Sequence, residues 1–124
     1  MPRKTPPMRK NDCLTQCLST LLNINYEEVP FYAKESAAKN WLSKLSIWAN
    51  KKGYKMRVVY NPKNIWPTHK VIGVGRSPSG KDNDHAVIVD IICDTPKVIW
   101  DPTYNKRRSV KQFGYFITFR KIND

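Results

Sequence analysis

The spacing of apolar residues changes from a helical period to a strand period at Gly53, and this change limits the possible fold most strongly. Before it, apolar residues recur every three to four positions over residues 13–22 and 39–52, which predicts two amphipathic helices. After it, alternating or short apolar runs predict strands at residues 54–60, 69–75, 85–92, 98–100 and 115–120. This order predicts an α+β fold with N-terminal helices packed on one face of an antiparallel β-sheet.

The length and composition indicate a single domain. A chain of 124 residues can form one core, and we expect residues 11–124 to be that domain. Residues 1–10 contain three prolines and four basic residues and are expected to form a flexible basic arm. No apolar run is long enough to span a membrane and no signal peptide is recognisable, so a cytoplasmic protein without membrane contact is expected.

The cysteine count and the charge restrict cofactors and partners. Three cysteines, an odd number, argue against a disulfide framework, and none has the spacing of a structural zinc site, so neither metal nor other cofactor is predicted. The net charge of +12 attracts acidic proteins, nucleic acids or anionic membrane surfaces. The basic residues are scattered and no nucleic-acid-binding motif accompanies them. An acidic protein is therefore the expected partner and nucleic acid the second candidate.

Residues 11–22 combine a helix with a cysteine in its first turn. Asn11 and Asp12 are favourable N-cap residues, because a side-chain oxygen can accept a hydrogen bond from an unpaired N–H group there. Cys13 then lies in the positive field of the helix start, which favours the thiolate form that a nucleophile needs. The alternative is that Cys13 and Cys17 are two small core residues.

A histidine and an aspartate occupy the ends of two consecutive predicted strands. His85 begins one strand and Asp101 ends the next, so a hairpin would bring them together as the base and the orienting carboxylate of a cysteine nucleophile. A turn at residues 93–94 places Asp101 within reach of His85. A turn at residues 96–97, which the preference of Pro96 for turn position i+1 favours locally, displaces Asp101 by several residues. A β-bulge or a wide loop would reconcile the two registers.

Each candidate residue has a structural alternative. His85 also fits a buried, hydrogen-bonded strand histidine, and Asp101 fits a turn-initiating aspartate before proline. His69 is the rival base, although its polar neighbours suggest a strand edge. Cys17 shares the apolar face of the first helix one turn further on and is the better core residue, whereas Cys93 is expected to be a surface or half-buried thiol.

These motifs together resemble small papain-like cysteine peptidases that are related to the bacteriocin-processing peptidases and common in bacteriophage genomes. The cysteine motif and the His-Ala-Val-Ile-Val strand are moderately specific in combination and weak when taken separately. The resemblance covers most of residues 11–102, through residues 12–22, 26–30, 41–42, 53, 69–75, 77–80, 85–89 and 100–102.

The resemblance implies a papain-like fold and a catalytic triad. Cys13 would be the nucleophile, His85 the general base and acid, and Asp101 the orienting residue. Such enzymes often carry a glutamine about six residues before the cysteine as an oxyanion-hole donor, but this position is Pro7 here and residues 1–12 contain no glutamine. The backbone N–H of Cys13, with Asn11, is then the expected oxyanion hole.

The expected function is therefore a cysteine hydrolase that cleaves a peptide or isopeptide bond in a protein substrate through a thioester. A phage origin would place it in the host cytoplasm, with a host protein as target. One alternative is a catalytically inactive papain-fold module that binds an acidic protein or nucleic acid. Another is an acyltransferase, because transfer and hydrolysis begin with the same acyl-enzyme.

Overall fold

The protein contains two α-helices that precede a β-sheet, as the change of period at Gly53 predicts. The computed structural model describes residues 13–29, 41–65, 70–76, 84–102, 110 and 112–122. Helix α1 spans Cys13–Leu22 and helix α2 spans Trp41–Lys51. Gly53 follows α2 with φ +90°, a conformation that glycine adopts without strain, and it separates the helix from the first strand. The predicted basic arm at residues 1–10 lies outside the described residues.

Five antiparallel strands form one sheet in the order β1-β5-β2-β3-β4. The last strand along the chain thus inserts between the first and second, and β1 and β4 form the two edges. The strand bounds are β1 Tyr54–Val59, β2 Lys70–Arg76, β3 Asp84–Ile92, β4 Thr95–Trp100 and β5 Phe113–Lys121. The α+β class and the antiparallel sheet are confirmed.

Both helices lie on one face of the sheet and build the main core with it. Helix α1 packs against β3 and β2, while α2 packs against β1. The apolar stripe of α2 faces this core: Leu45 and Ala49 are fully buried, and Trp41, Leu42 and Trp48 pack against it. The buried members of the core are Cys17, Leu18, Leu22, Val29, Leu45, Ala49, Ile72, Val74, Ala86, Ile88, Ile117 and Phe119.

A smaller apolar cluster covers part of the opposite face of the sheet. Its buried residues are Val71, Val87, Val89, Val110 and Phe116, with Phe113 and Ile65 packed at its margin. Consequently β2 and β3 are buried on both faces, which explains why their sequences read as continuous apolar runs and not as alternation.

The β3–β4 hairpin turns at Cys93–Asp94, and the register centred on Pro96 is wrong. Cys93 and Asp94 have φ of 51° and 63°, as a two-residue type I′ turn requires. Pro96 instead lies in β4, an edge strand, where proline is tolerated because an outward-facing position needs no N–H group. The pairing of β3 with β4 thus outweighs the local preference of Pro96 for a turn.

Within the described ranges, no helix has both the length and the apolar composition that a membrane crossing requires.

Candidate active site

Cys13 is the first residue of α1, and its sulfur lies against the start of β3. The Ala86 backbone N–H donates a hydrogen bond to Cys13 Sγ at 3.4 Å. Residues 15–19 of the helix are all buried, so α1 is packed firmly into the fold just after Cys13. The thiol itself is half-buried.

His85 occupies the start of β3 beside Cys13, and Asp101 holds its ring. The His85 Nε2–H group donates to Asp101 Oδ1 at 2.9 Å. The Asp101 side chain is 1% exposed and the His85 side chain 12% exposed. His85 directly precedes Ala86, whose N–H contacts Cys13 Sγ, and the nearby Cys13 side chain contributes to the raised pKa of His85. The structure therefore brings together all three residues of the predicted triad.

A β-bulge in β4 brings Asp101 to the side of the sheet that carries His85. The β3–β4 register shifts by one residue at Ile88, which pairs with Trp100, and Ile99 is the extra residue on β4. Neighbouring residues on a strand point to opposite faces, so one extra residue reverses the face of everything that follows it. Without the bulge, Asp101 would point to the opposite face. The structure therefore contains both the turn at residues 93–94 and a β-bulge, and together they place Asp101 beside His85.

The surroundings of His85 favour its protonated form. Burial by itself lowers the pKa of His85, but the hydrogen bonds to Asp101 and Cys13, together with the negative charges of both groups, outweigh burial and raise this pKa from 6.5 to about 9. At neutral pH the ring is therefore an imidazolium placed between a carboxylate and a sulfur. This arrangement provides a proton for a leaving group beside a nucleophile.

Asn11, the proposed oxyanion-hole donor, and His69, the rival base, both lie outside the residues that the structure describes. The other expected donor, the backbone N–H of Cys13, belongs to the first residue of α1, where N–H groups have no partner within the helix.

Sequence reasoning missed the backbone of Ala86 as a site component and also the part played by Gly75. Gly75 pairs directly with His85 in the β2–β3 ladder. A Cβ atom at Gly75 would overlap the Gln112 carbonyl oxygen and the Val110 side chain. The signal was the Gly-Val-Gly pattern inside a strand, because an isolated glycine there often marks a close approach of another backbone.

The described residues contain no group of three or more His, Cys, Asp or Glu side chains arranged to hold a metal ion. Cys93 is exposed at the hairpin turn, and Cys17 is buried beneath Cys13. Comparison with models of protein families, with curated proteins and with solved structures found no significant match.

Proposed function

We propose that this protein is a papain-like cysteine hydrolase that cleaves a peptide or isopeptide bond in a protein substrate. The main support is the position of His85, whose imidazole hydrogen-bonds to Asp101 and whose neighbour Ala86 contacts the sulfur of Cys13 through its N–H. The arrangement of a thiol-bearing helix against an antiparallel sheet that carries the histidine agrees with the papain-like resemblance of the sequence.

The proposed chemistry follows from the arrangement of the three side chains. The Cys13 thiolate attacks the carbonyl carbon of the scissile bond, and His85 Nδ1–H gives its proton to the departing amine, leaving a thioester on Cys13. Neutral His85 then removes a proton from water, and the resulting hydroxide attacks the thioester and releases the carboxylic acid. Asp101 keeps the ring oriented and stabilises the imidazolium that forms again.

The nucleophile can be tested without knowing the substrate, by alkylation of Cys13 with iodoacetamide. A Cys93→Asn background removes the exposed thiol, and Cys17 is fully buried, so modification should occur at Cys13. We expect His85→Ala to slow alkylation at pH 7 by about tenfold or more, because the thiolate loses its imidazolium partner. His69→Ala is the matched control and should leave the rate unchanged. Equal rates in the parent and His85→Ala would refute the Cys–His pair.

Hydrolysis itself is tested with a proteome-derived peptide library and mass spectrometry. Cleavage that disappears in Cys13→Ala supports a hydrolase, whereas cleavage that persists in that variant rules out the proposed nucleophile. Addition of hydroxylamine distinguishes the acyltransferase alternative, since an acyl-enzyme that prefers amines over water yields hydroxamate products. Predominant hydroxamate with little free acid would favour transfer.

We also propose an acidic protein as the substrate or partner, because basic residues share the sheet face opposite the helices. Lys55 and Arg120 are direct partners in the β1–β5 ladder, and Arg57 lies two residues from Lys55 on the same face. Their neighbours Tyr54 and Met56 pack against the helix-side core, which sets the direction of the basic residues. All three side chains are exposed, and their shared positive charge attracts an anionic partner.

Charge reversal tests this basic face. Lys55→Glu, Arg57→Glu and Arg120→Glu together change the net charge by the same amount as reversing Lys44, Lys51 and Lys63, which are exposed outside the β1–β5 ladder. Stronger loss of binding to poly-glutamate in the first triple variant supports the proposal, and equal loss in both variants contradicts it. Binding to a DNA duplex whose salt slope falls by about 3 in the first variant would favour nucleic acid instead.

A reducing compartment such as the cytoplasm fits the three free cysteines. If the gene belongs to a phage, this would be the cytoplasm of the host.

A further inference from the structure

Two thiols of α1 hold the two polar backbone groups of a single residue on β3. The Ala86 N–H donates to Cys13 Sγ at 3.4 Å, and Cys17 Sγ donates to the Ala86 carbonyl oxygen at 3.3 Å. Ala86 directly follows His85 in the chain. The position of the histidine relative to the nucleophile therefore depends on how this one residue is fixed against the helix.

The thiols replace a missing strand neighbour. The N–H and C=O groups of one residue point to the same side of an antiparallel strand. The β3–β4 ladder ends where Ile88 pairs with Trp100, so β4 supplies no partner for Ala86. Cys13 and Cys17 occupy the corresponding place along β3. A buried N–H or C=O group without any partner would destabilise the fold, so the two contacts to Ala86 stabilise this arrangement of α1 and β3.

The environment of Cys17 keeps it protonated and therefore able to donate. The side chain is fully buried, and burial raises the pKa of Cys17 well above its usual value, with the negative charges of Cys13 and Asp101 adding to the effect. Cys17 is accordingly unsuited to be a second nucleophile. It also packs in the main core, so filling space and donating a hydrogen bond must be separated by experiment.

We propose that Cys17 is a positioning residue for the Cys13–His85 pair, which it aligns by donating a hydrogen bond to the Ala86 carbonyl group. This inference rests on the proposed cysteine-hydrolase function, because it concerns the alignment of that nucleophile and base. Cys17 does not touch substrate and acts only through the backbone of β3.

The test compares Cys17→Ser with Cys17→Ala in the Cys93→Asn background. Serine and alanine are similar in volume and both lose the sulfur, but only serine can donate to the Ala86 carbonyl group. We expect Cys17→Ala to slow iodoacetamide alkylation of Cys13 by about tenfold and to lower the pKa of His85, because small displacements of reacting groups have large effects. Cys17→Ser should stay within about threefold of the parent in alkylation rate.

Equal alkylation rates and equal His85 titrations in the two variants would overturn the positioning role and leave Cys17 as core filling. Cys17→Val retains the apolar volume without a donor, so it should behave like Cys17→Ala even if the alanine variant folds poorly; a parent-like valine variant would also overturn the proposal. Failure of the proposed hydrolase function can be distinguished from failure of the Cys17 proposal. If His85→Ala does not slow alkylation, the Cys–His pair itself is absent, whatever the Cys17 variants show.

Discussion

Replacing Asp101 by asparagine should lower the pKa of His85, since Asp101 contributes both a hydrogen bond and a negative charge to the imidazolium. The pKa of His85 is raised from 6.5 to about 9, although burial opposes this change. Asparagine is isosteric and can still accept the Nε2–H group, so the substitution removes mainly the charge. Burial then acts with less opposition, and we expect the His85 pKa in this variant to fall toward 6.5.

The rise in the pKa of His85 corresponds to a free-energy difference between the charged and neutral imidazole. One pKa unit corresponds to about 1.4 kcal/mol, so the rise at His85 sets an upper limit of about 3 kcal/mol of preferential stabilisation of the imidazolium. Because part of the ring contacts solvent, screening reduces this to about 2 kcal/mol. The folded-state pKa is raised, so this contribution to stability is complete below pH 6.5 and is lost as pH rises through about 9.

The assay is an NMR titration of the imidazole Cε1–H resonance. The chain contains two histidines, so a His69→Ala background leaves His85 as the only signal. We expect a midpoint near pH 9 in this background and a decrease with either Asp101→Asn or Cys13→Ala. Asp94→Asn changes the charge equally at the exposed hairpin turn and should not move the midpoint.

A His85 midpoint at or below pH 6.5 in the protein with both partners present would refute the stabilisation of the imidazolium by Asp101. A midpoint that Asp101→Asn leaves unchanged would refute it equally. Urea denaturation gives an independent check. The free energy of unfolding of the parent should decrease by about 2 kcal/mol between pH 6.5 and 9, and this decrease should be smaller in Asp101→Asn.

Three further predictions concern stability and are read from urea denaturation. Gly75→Ala should destabilise by about 2 kcal/mol or more, because its Cβ would overlap the Gln112 backbone, whereas Gly114→Ala, whose Cβ has no atom closer than 3.7 Å, should cost below about 1 kcal/mol. Leu45→Ala should cost about 2–5 kcal/mol because the side chain is fully buried, while Ile47→Ala, at 59% exposure, should change stability by less than about 0.5 kcal/mol. Cys93→Asn should stabilise by about 0.5–1 kcal/mol, since asparagine tolerates the positive φ of this turn better. A reversed order within either pair, or a destabilised Cys93→Asn variant, would contradict the packing and turn arguments.

The sequence alone determined the elements of the fold, because they depend on local periodicity. Apolar residues every three to four positions in α1 and α2, and the change to strand spacing after Gly53, are properties of neighbouring residues. The same local reasoning placed Cys13 at the start of a helix and His85 at the start of a strand, where side chains have access to a site. It therefore supplied the candidate residues of the triad.

Only the tertiary structure decided how these residues meet. The choice between a turn at residues 93–94 and one at Pro96 depends on the pairing of β3 with β4, whose combined energy exceeds the local preference of one proline. The bulge at Ile99 places Asp101 on the face of the sheet that carries His85, and no local sequence pattern predicts this bulge. The contact of α1 with Ala86 also joins residues about 70 positions apart in the chain. Register, bulge and helix–strand contact are cooperative properties of the whole sheet, so they lie beyond the reach of residue spacing.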